Sequence, residues 1–272
     1  MEARPCPGYM SKKKTTFLFW PVLLLLLAPL LRAETLLPFI SGEKLEYEMK
    51  WGFFPVGYAT MEVNRLPANE ANRTAMGPVH QVKFFVRTNS FADTFYKVRT
   101  TITSTMDDAF TRTLSYQKSQ REGSTRREIL VDYDYGKKEV RYSLNGQDPK
   151  IMPLPEPCFD PLAIAYYFRI HPIEPNSEKI LPTCDGKKFR QVAVRSGDRE
   201  KLKLPMGTYS VIRTEPAMEN LGGVFTKSPD GLLQVWYSDD QRRVTVRVSS
   251  KVVVGSFTAT LSRAHPPLAK NY

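Results

Sequence analysis

The stretch KLEYEMKWGFFPVGYATMEV, residues 44–63, predicts that the fold is built from β-strands. Apolar and charged residues alternate through its first half, as they do in a strand with one buried face. Pro55 and Gly57 interrupt the pattern where a turn or bulge is expected, and YATMEV continues as a second strand. One face of the first strand carries Leu45, Tyr47, Met49 and Trp51, and the other carries Lys44, Glu46, Glu48 and Lys50.

The same period of two recurs through most of the chain, for example in HQVKFFVRT (80–88), RREILVDYDY (126–135) and RRVTVRVSS (242–250). The segments between these runs are short and polar, which is typical of antiparallel neighbours. We therefore predict a single β-rich domain over residues 34–264, with a dozen or so strands. So large a sheet has to become strongly curved or barrel-like. Residues 265–272, with two prolines, are predicted to form a flexible tail.

One segment, EPCFDPLAIAYYFRI (156–170), has a helical pattern instead. Asp160 is a suitable N-cap, and Pro161 suits the first helical position. Apolar residues then recur at helical spacing, so one short helix is predicted from about residue 161 to residue 169. Its apolar stripe is expected to plug or cap the sheet.

The segment VWYSDDQRRV (235–244) is interpreted as a β-hairpin with Asp239 and Asp240 at its tip. Neighbouring residues on a strand point to opposite faces and cannot share a proton, whereas aspartate is favoured in turns. The alternative is a binding or acid site made by Asp239 or Asp240 with Arg242 or Arg243.

Residues 1–33 have the pattern of an export signal, and the mature chain is expected to begin near Glu34. Three lysines at 12–14 precede an apolar run over residues 17–31, and Ala33 is a plausible cleavage position. An uncleaved anchor helix is the alternative, and no later stretch is apolar enough to span a membrane. Removing these residues takes away five basic residues and one acid, which lowers the net charge from +11 to +7. The remaining excess suits anionic envelope polymers or lipid head groups, or merely solubility, and there is no nucleic-acid-binding motif.

Two cysteines, Cys158 and Cys184, remain after the signal, and an exported protein permits them to pair. A disulfide between them is one prediction, and two free thiols are the other. His171 lies 13 residues from each cysteine, a spacing that matches no zinc pattern. We predict no metal site and no cofactor.

Three ordered motifs resemble an exported bacterial family that is catalogued as a domain of unknown function. They are GEKLEYEMKWGFFPVGYATMEV, FDPLAIAYYFR and GLLQVWYSDDQRRVTVRVSSKVVVGSFTATL, and the resemblance covers about residues 42–261. The family often has proline where Thr245 stands. The resemblance implies an antiparallel, barrel-like protein in the periplasm or at the outer membrane of a Gram-negative bacterium. It implies no catalytic residues.

The leading functional hypothesis is a non-enzymatic envelope protein whose partner is a lipid, a glycolipid, a glycan or a protein segment. The sequence has no phosphate loop, nucleophile elbow or zinc-protease motif, and His80, His171 and His265 are interpreted as structural or surface residues. A curved sheet with aromatic residues on its inner face is suited to an amphiphilic ligand. The candidate ligand-binding residues are Trp51, Phe53, Tyr58, Tyr167 and Trp236, for which the alternative role is ordinary core packing.

Two further hypotheses belong to other classes of protein. The first is a scaffold that joins an envelope complex through an exposed sheet edge. The second is a glycan hydrolase, which needs two carboxyl groups facing each other across a cleft. Its first candidates are Asp160, Asp239 and Asp240.

Overall fold

The computed structural model describes residues 1–2, 37–67, 77–217, 231–252 and 255–268. Nearly all of the predicted export signal, residues 1–33, therefore lies outside the described residues. From Leu36 to Tyr272 the chain forms one compact unit. Among the residues described, no helix combines the length and apolarity that a membrane span requires.

Antiparallel β-strands dominate this unit, as the alternating sequence pattern predicts. The described residues contain fourteen strands and two short helices, α1 (Ser90–Asp93) and α2 (Ala163–Ile170). The strands are β1 (Glu43–Trp51), β2 (Phe54–Leu66), β3 (Val79–Thr88), β4 (Val98–Asp107), β5 (Thr113–Glu122), β6 (Thr125–Asp134), β7 (Glu139–Leu144), β8 (Lys150–Pro153), β9 (Glu178–Cys184), β10 (Phe189–Leu204), β11 (Gly207–Pro216), β12 (Leu232–Ser238), β13 (Thr245–Val252) and β14 (Gly255–His265).

All fourteen strands belong to one sheet, which is curled and not closed. Strands β1–β8 and β9–β14 form two meanders, in which each strand pairs with the next one along the chain. The meanders join at the centre of the sheet, where β1 pairs with β14. Strands β8 and β9 are consequently the two edges, and residues 154–177, which contain α2, connect them.

The β1–β2 hairpin is tighter than the sequence pattern suggests. Its turn is formed by Gly52 and Phe53, whereas Pro55 and Gly57, where we predicted the turn, lie within β2. Gly57 is required by a close approach between strands, because a Cβ atom there would lie 2.1 Å from the Arg87 carbonyl oxygen. Glycine therefore serves strand packing at this position, and not a change of chain direction.

Helix α2 packs inside the curl, as predicted, and fills part of it. It begins at Ala163, and the Asp160 carboxylate accepts hydrogen bonds from the Leu162 and Ala163 backbone nitrogens at 2.7 and 3.1 Å. Tyr166 is fully buried in the main apolar core, and Phe168 packs in a second cluster against β9, β10 and β12. The helix thereby joins the two meanders from within.

Helix α1 is a single turn that the sequence analysis missed. It lies in the connection between β3 and β4. The Asn89 side chain accepts a hydrogen bond from the Ala92 nitrogen, which caps the turn at its N-terminus. The same side chain donates to the Pro55 carbonyl oxygen at 2.8 Å. Helix α1 is thus fixed against the first residues of β2.

The edge strand β9 is tied to the inner side of the sheet by the connection that precedes α2. Phe159 forms a parallel bridge with Thr183 of β9, and the Thr113 nitrogen donates to the Cys158 carbonyl oxygen at 2.9 Å. Tyr133 of β6 donates a hydrogen bond from its hydroxyl to the Cys184 carbonyl oxygen at 2.7 Å. These bonds link β9 to the inner face of β5 and β6.

The first residues of the predicted tail are packed against the domain. Strand β14 extends to His265, and Leu268 is buried in the main core. The Arg242 guanidinium donates to the Pro267 carbonyl oxygen at 2.9 Å. Residues 265–268 therefore do not form the flexible tail that we predicted, because Leu268 packs against the apolar core. Residues 269–272 lie outside the described residues.

Candidate functional site

The inner face of the sheet is closed at one end and partly open at the other. In β1, Leu45 is fully buried whereas Met49, four residues further along, is partly exposed. Strand β3 shows the same change from Val82 to Val86. We call the partly exposed apolar region the open half of the inner face. It consists of Met49, Phe84, Val86, Ile102, Ile129 and Ala259.

Strand pairing brings these residues together. Met49 lies opposite Ala259, and Phe84 lies opposite Ile102. Because directly opposed side chains share one face of a sheet, both pairs lie on the inner face, and we call the residues of the open half the apolar wall. Ile102 and Ile129 lie on either side of Lys118 in the register, so a lysine interrupts the wall.

The polar part of the open half is built on β4 and β5. Lys118 is half-buried, and burial lowers the pKa of its ammonium group. Glu122 accepts hydrogen bonds from the Thr100 hydroxyl at 2.8 Å and from the Gln120 amide at 2.7 Å. A cationic group thus lies beside apolar side chains, an arrangement that suits a ligand with an apolar chain and an anionic head.

Exposed aromatic side chains surround the end of the sheet where the open half lies. They come from the β1–β2 turn and from the connection between β3 and β4, which Asn89 ties together. Phe53 is 95% exposed and Phe95 is 77% exposed. The rings of Phe91 and Phe95 meet edge to face with centroids 5.5 Å apart. We call this set the aromatic rim, and its members are Trp51, Phe53, Phe54, Phe91, Phe95 and Tyr96.

The five predicted ligand-binding residues do not share one surface. Trp51 and Phe53 belong to the aromatic rim. Tyr58 lies opposite Glu48 on the outer face, beside a shallow depression. Tyr167 is in α2, packed against the rings of Phe159, Phe168 and His171, and Trp236 is buried. None of the five is therefore among the residues of the open half, and two of them belong to the adjoining rim.

Lys118 and the three aromatic residues beside α1 were not among the predicted ligand-binding residues. Phe91, Phe95 and Tyr96 lie in the stretch NSFADTFY (89–96), between β3 and β4. An asparagine cap followed by three aromatic residues between two strands was the available signal. Lys118 gave no such signal, because its inward direction follows from strand register alone.

The hairpin prediction for VWYSDDQRRV is confirmed. β12 and β13 pair antiparallel, and the turn between them contains both aspartates. Asp240 Oδ1 accepts hydrogen bonds from the Arg242 and Arg243 backbone nitrogens at 2.9 and 3.0 Å. Asp239 forms an ion pair with Arg199. Asp240 is therefore bonded within the turn, and Asp239 is paired with a residue of β10.

The same turn reaches α2 through a buried charge cluster. Arg169 and Glu43 have side chains that are 0% and 1% exposed, and two nitrogens of the guanidinium contact both carboxylate oxygens. Arg242 also donates to Glu43 at 2.9 Å, and Arg243 donates to the Arg169 carbonyl oxygen. This cluster joins β1, α2 and the β12–β13 turn. It is a structural junction, since its charges are paired and shielded from solvent.

Asp160, the third carboxylate considered for a hydrolase, is fully buried. It accepts hydrogen bonds from Ser104 and from Thr113, the latter at 2.9 Å, in addition to its contacts with α2. Burial raises the pKa of this carboxyl group, and the hydrogen bonds oppose that change. Its contacts connect α2 to β4 and β5.

Cys158 and Cys184 are both buried thiols that lie side by side in the structure. A hydrogen bond between them, together with burial, raises the pKa of Cys158, and the same hydrogen bond lowers the pKa of Cys184. His171 follows α2 and stacks against Tyr167. In the part of the chain that is described, no three histidine, cysteine or acidic residues are grouped as metal ligands would be.

Comparisons with known proteins agree with this architecture. A β-barrel-like protein of the DUF1849 domain of unknown function from Brucella abortus has a similar fold, with a TM-score of 0.51 and 8% sequence identity. The match covers 82% of this chain and 97% of that one. A protein from Bacteroides fragilis, described as a putative exported protein with a YmcC-like fold, is more distant, with a TM-score of 0.36, 9% identity and coverage of 84% and 97%.

No curated protein matches the chain by sequence. The model of the DUF3108 family, described as a protein of unknown function, matches residues 46–262 and so includes both meanders and α2. On this match, which spans most of its length, the chain belongs to the DUF3108 family.

Proposed function

We propose that this protein is an exported, non-enzymatic binding protein that holds a single-chain anionic amphiphile in the open half of the inner face. The observation that carries the proposal is the change of burial along β1 and β3, from the filled core around α2 to the partly exposed apolar wall. A sheet packed only for stability gains nothing from leaving inward apolar side chains in contact with water.

Lys118 supports the anionic character of the ligand. It lies in the register between Ile102 and Ile129, so its charge stands beside the surfaces that an acyl chain would cover. Burial lowers the pKa of Lys118 and so disfavours its charged form, although the Glu122 carboxylate opposes part of that change. An anionic head group would offset that cost, because opposite charges interact more strongly where water is excluded.

Export is supported by the N-terminal pattern of residues 1–33, and by the balance of charge in the rest of the chain. An exported protein meets lipids and their single-chain derivatives at the envelope. The proposal therefore combines a location with a binding surface of matching chemistry.

Blocking the wall tests the proposal. Ala259→Phe places a ring on the inner face opposite Met49, whereas Thr260→Phe, the matched control, places the same ring on the outer face opposite Glu48. Binding of a fluorescent lysophospholipid below its micelle concentration should weaken about tenfold or more in Ala259→Phe and stay unchanged in Thr260→Phe. Equal affinities in both variants, with folding verified by circular dichroism, would contradict the proposal.

The role of Lys118 has its own readout. In Lys118→Met, the apolar part of the surface is kept and the charge is removed. We expect the preference for an anionic over a zwitterionic lysophospholipid to disappear, while affinity for the zwitterionic probe is retained. A preference that survives the substitution would exclude Lys118 as the head-group contact.

A further inference from the structure

We propose that the aromatic rim and a row of arginines beside it form a docking surface for an anionic lipid bilayer. This surface is separate from the inner face, and the inference stands whether or not the inner face binds an amphiphile. It rests on three observations: strand register, exposure and charge.

The arginine row lies on the outer face of four consecutive strands. Arg87 of β3 lies directly opposite Arg99 of β4, Arg99 lies opposite Arg121 of β5, and Arg121 lies opposite Arg126 of β6. With about 4.8 Å between strands, the row extends over roughly 15 Å. Like charges directly opposite each other destabilise a sheet, so a row of this kind has a cost in the isolated protein.

Acidic side chains compensate only part of this charge. Asp93 of α1 forms an ion pair with Arg99, in which Arg99 Nη2 and Asp93 Oδ2 are 2.6 Å apart. Arg126 donates to the Gly123 and Thr125 carbonyl oxygens, both at 2.8 Å. Within the described residues, Arg87 and Arg121 are exposed and have no carboxylate at ion-pair distance. Two guanidinium groups are therefore available to an anion from outside the protein.

The aromatic rim lies next to this row. Arg87 lies near the end of β3, and Arg99 lies near the beginning of β4. The connection between these two strands contains α1 and the rim residues Phe91, Phe95 and Tyr96. Tyr96 also covers the β5–β6 turn, where a Cβ atom on Gly123 would lie 2.6 Å from the tyrosine ring. Arg121 and Arg126 flank the same turn. Aromatic and cationic groups thus occupy one end of the molecule.

A bilayer is the occupant that satisfies both sets of side chains. Aromatic rings are favoured at the level of the lipid head groups, and arginines near the surface gain from anionic phosphates. A rim with exposed phenylalanines on protruding turns suits insertion between head groups. The arginine row, on a strand face adjoining the rim, would then lie against the phosphates.

Vesicle sedimentation tests this surface by measuring the fraction of protein that is bound to lipid. The wild type and all variants are expressed and purified in the same way. The probes are vesicles of phosphatidylcholine with phosphatidylglycerol, and vesicles of phosphatidylcholine alone. We expect the wild type to partition onto the anionic vesicles and to be released by salt. Phe53→Ser combined with Phe95→Ser should reduce partitioning about tenfold or more.

Arg87→Gln and Arg121→Gln should each reduce binding to the anionic vesicles roughly fivefold and leave binding to phosphatidylcholine unchanged. Ile40→Ser and Lys203→Gln, which change exposed residues outside this surface, are the matched controls. The inference is overturned if the wild type does not bind anionic vesicles, or if the controls lower binding as much as the rim and arginine variants. Intact lysophospholipid binding in the rim variants would show that the inner face is unaffected.

Discussion

At the scale of single residues, Trp236 and Asp240 lie in one hairpin but have different structural roles. Trp236 is 8% exposed, belongs to the main core, and donates its indole hydrogen to Glu200 of β10. Asp240 receives three hydrogen bonds at one carboxylate oxygen, from two backbone nitrogens and the Ser238 hydroxyl. The tryptophan is a core residue and the aspartate organises the turn.

Replacing each of the two residues should separate these roles. Trp236→Ala is expected to lower the free energy of unfolding by about 3 kcal/mol, because it removes a large buried ring. Asp240→Asn keeps an oxygen acceptor at the same position and should lower it by less than about 1 kcal/mol. Urea unfolding of the two variants measures both changes. An equal loss in Asp240→Asn would mean that the charge itself, and not the acceptor oxygen, holds the turn.

At the scale of secondary-structure elements, the sequence predicts what is local and misses what depends on distant pairing. The alternation in β1 and β2, the helix after Asp160 and the β12–β13 hairpin follow from residues close together in the chain. The contact between Glu43 and Arg242 joins residues 199 positions apart, and it exists only because β1 pairs with β14. The grouping of the rim, likewise, needs neighbouring hairpins to be in register.

The charge cluster that joins β1, α2 and the β12–β13 turn should be critical for stability. Glu43→Gln leaves the buried Arg169 guanidinium without its counter-charge, and we expect a loss of about 3–5 kcal/mol. Glu46→Gln is the matched control in the same strand, since Glu46 pairs with Lys44 and Arg263 at the surface. Its loss should stay below about 1 kcal/mol.

Urea unfolding compares the two glutamate variants directly. A small loss in Glu43→Gln would show that α2 is held in the curl by its apolar contacts alone. A large loss in Glu46→Gln would show that surface charge pairs, and not the buried cluster, determine how β1 is held.

At the scale of the whole molecule, the curl depends on a connection that crosses from one sheet edge to the other. Cys158 lies in that connection, and Cys184 is the last residue of β9. The two thiols therefore lie beside the bridge that Phe159 forms with Thr183 of β9. The sequence predicts a curved sheet from the number of strands but not the position at which β9 is held against β5 and β6. That position is decided by packing of Phe159, α2 and Tyr133, which no local pattern encodes.

Oxidation of the two cysteines should stabilise the curled form. For protein purified under oxidising conditions, we expect thiol titration of denatured, unreduced material to find no free thiol. Reduction should then lower the free energy of unfolding by about 3 kcal/mol, as the bond closes a loop of intermediate length. Cys158→Ser is the control, since it should remove the effect of reductant. Two titratable thiols in this material would contradict the pairing.

The pairing of the first strand with the last has a consequence for the order in which the protein acquires its structure. A chain that emerges N-terminus first presents β1 long before β14 exists, and the two are separated by nearly the full length of the domain. Until synthesis and transfer are complete, β1 has an unsatisfied row of backbone donors and acceptors along one side. Contacts between residues so far apart in sequence form slowly. Until they form, the unpaired side of β1 is able to pair with other chains. Formation of the β1–β14 pairing is therefore the step at which newly made molecules are most open to aggregation, and at which a folding helper would have the greatest effect.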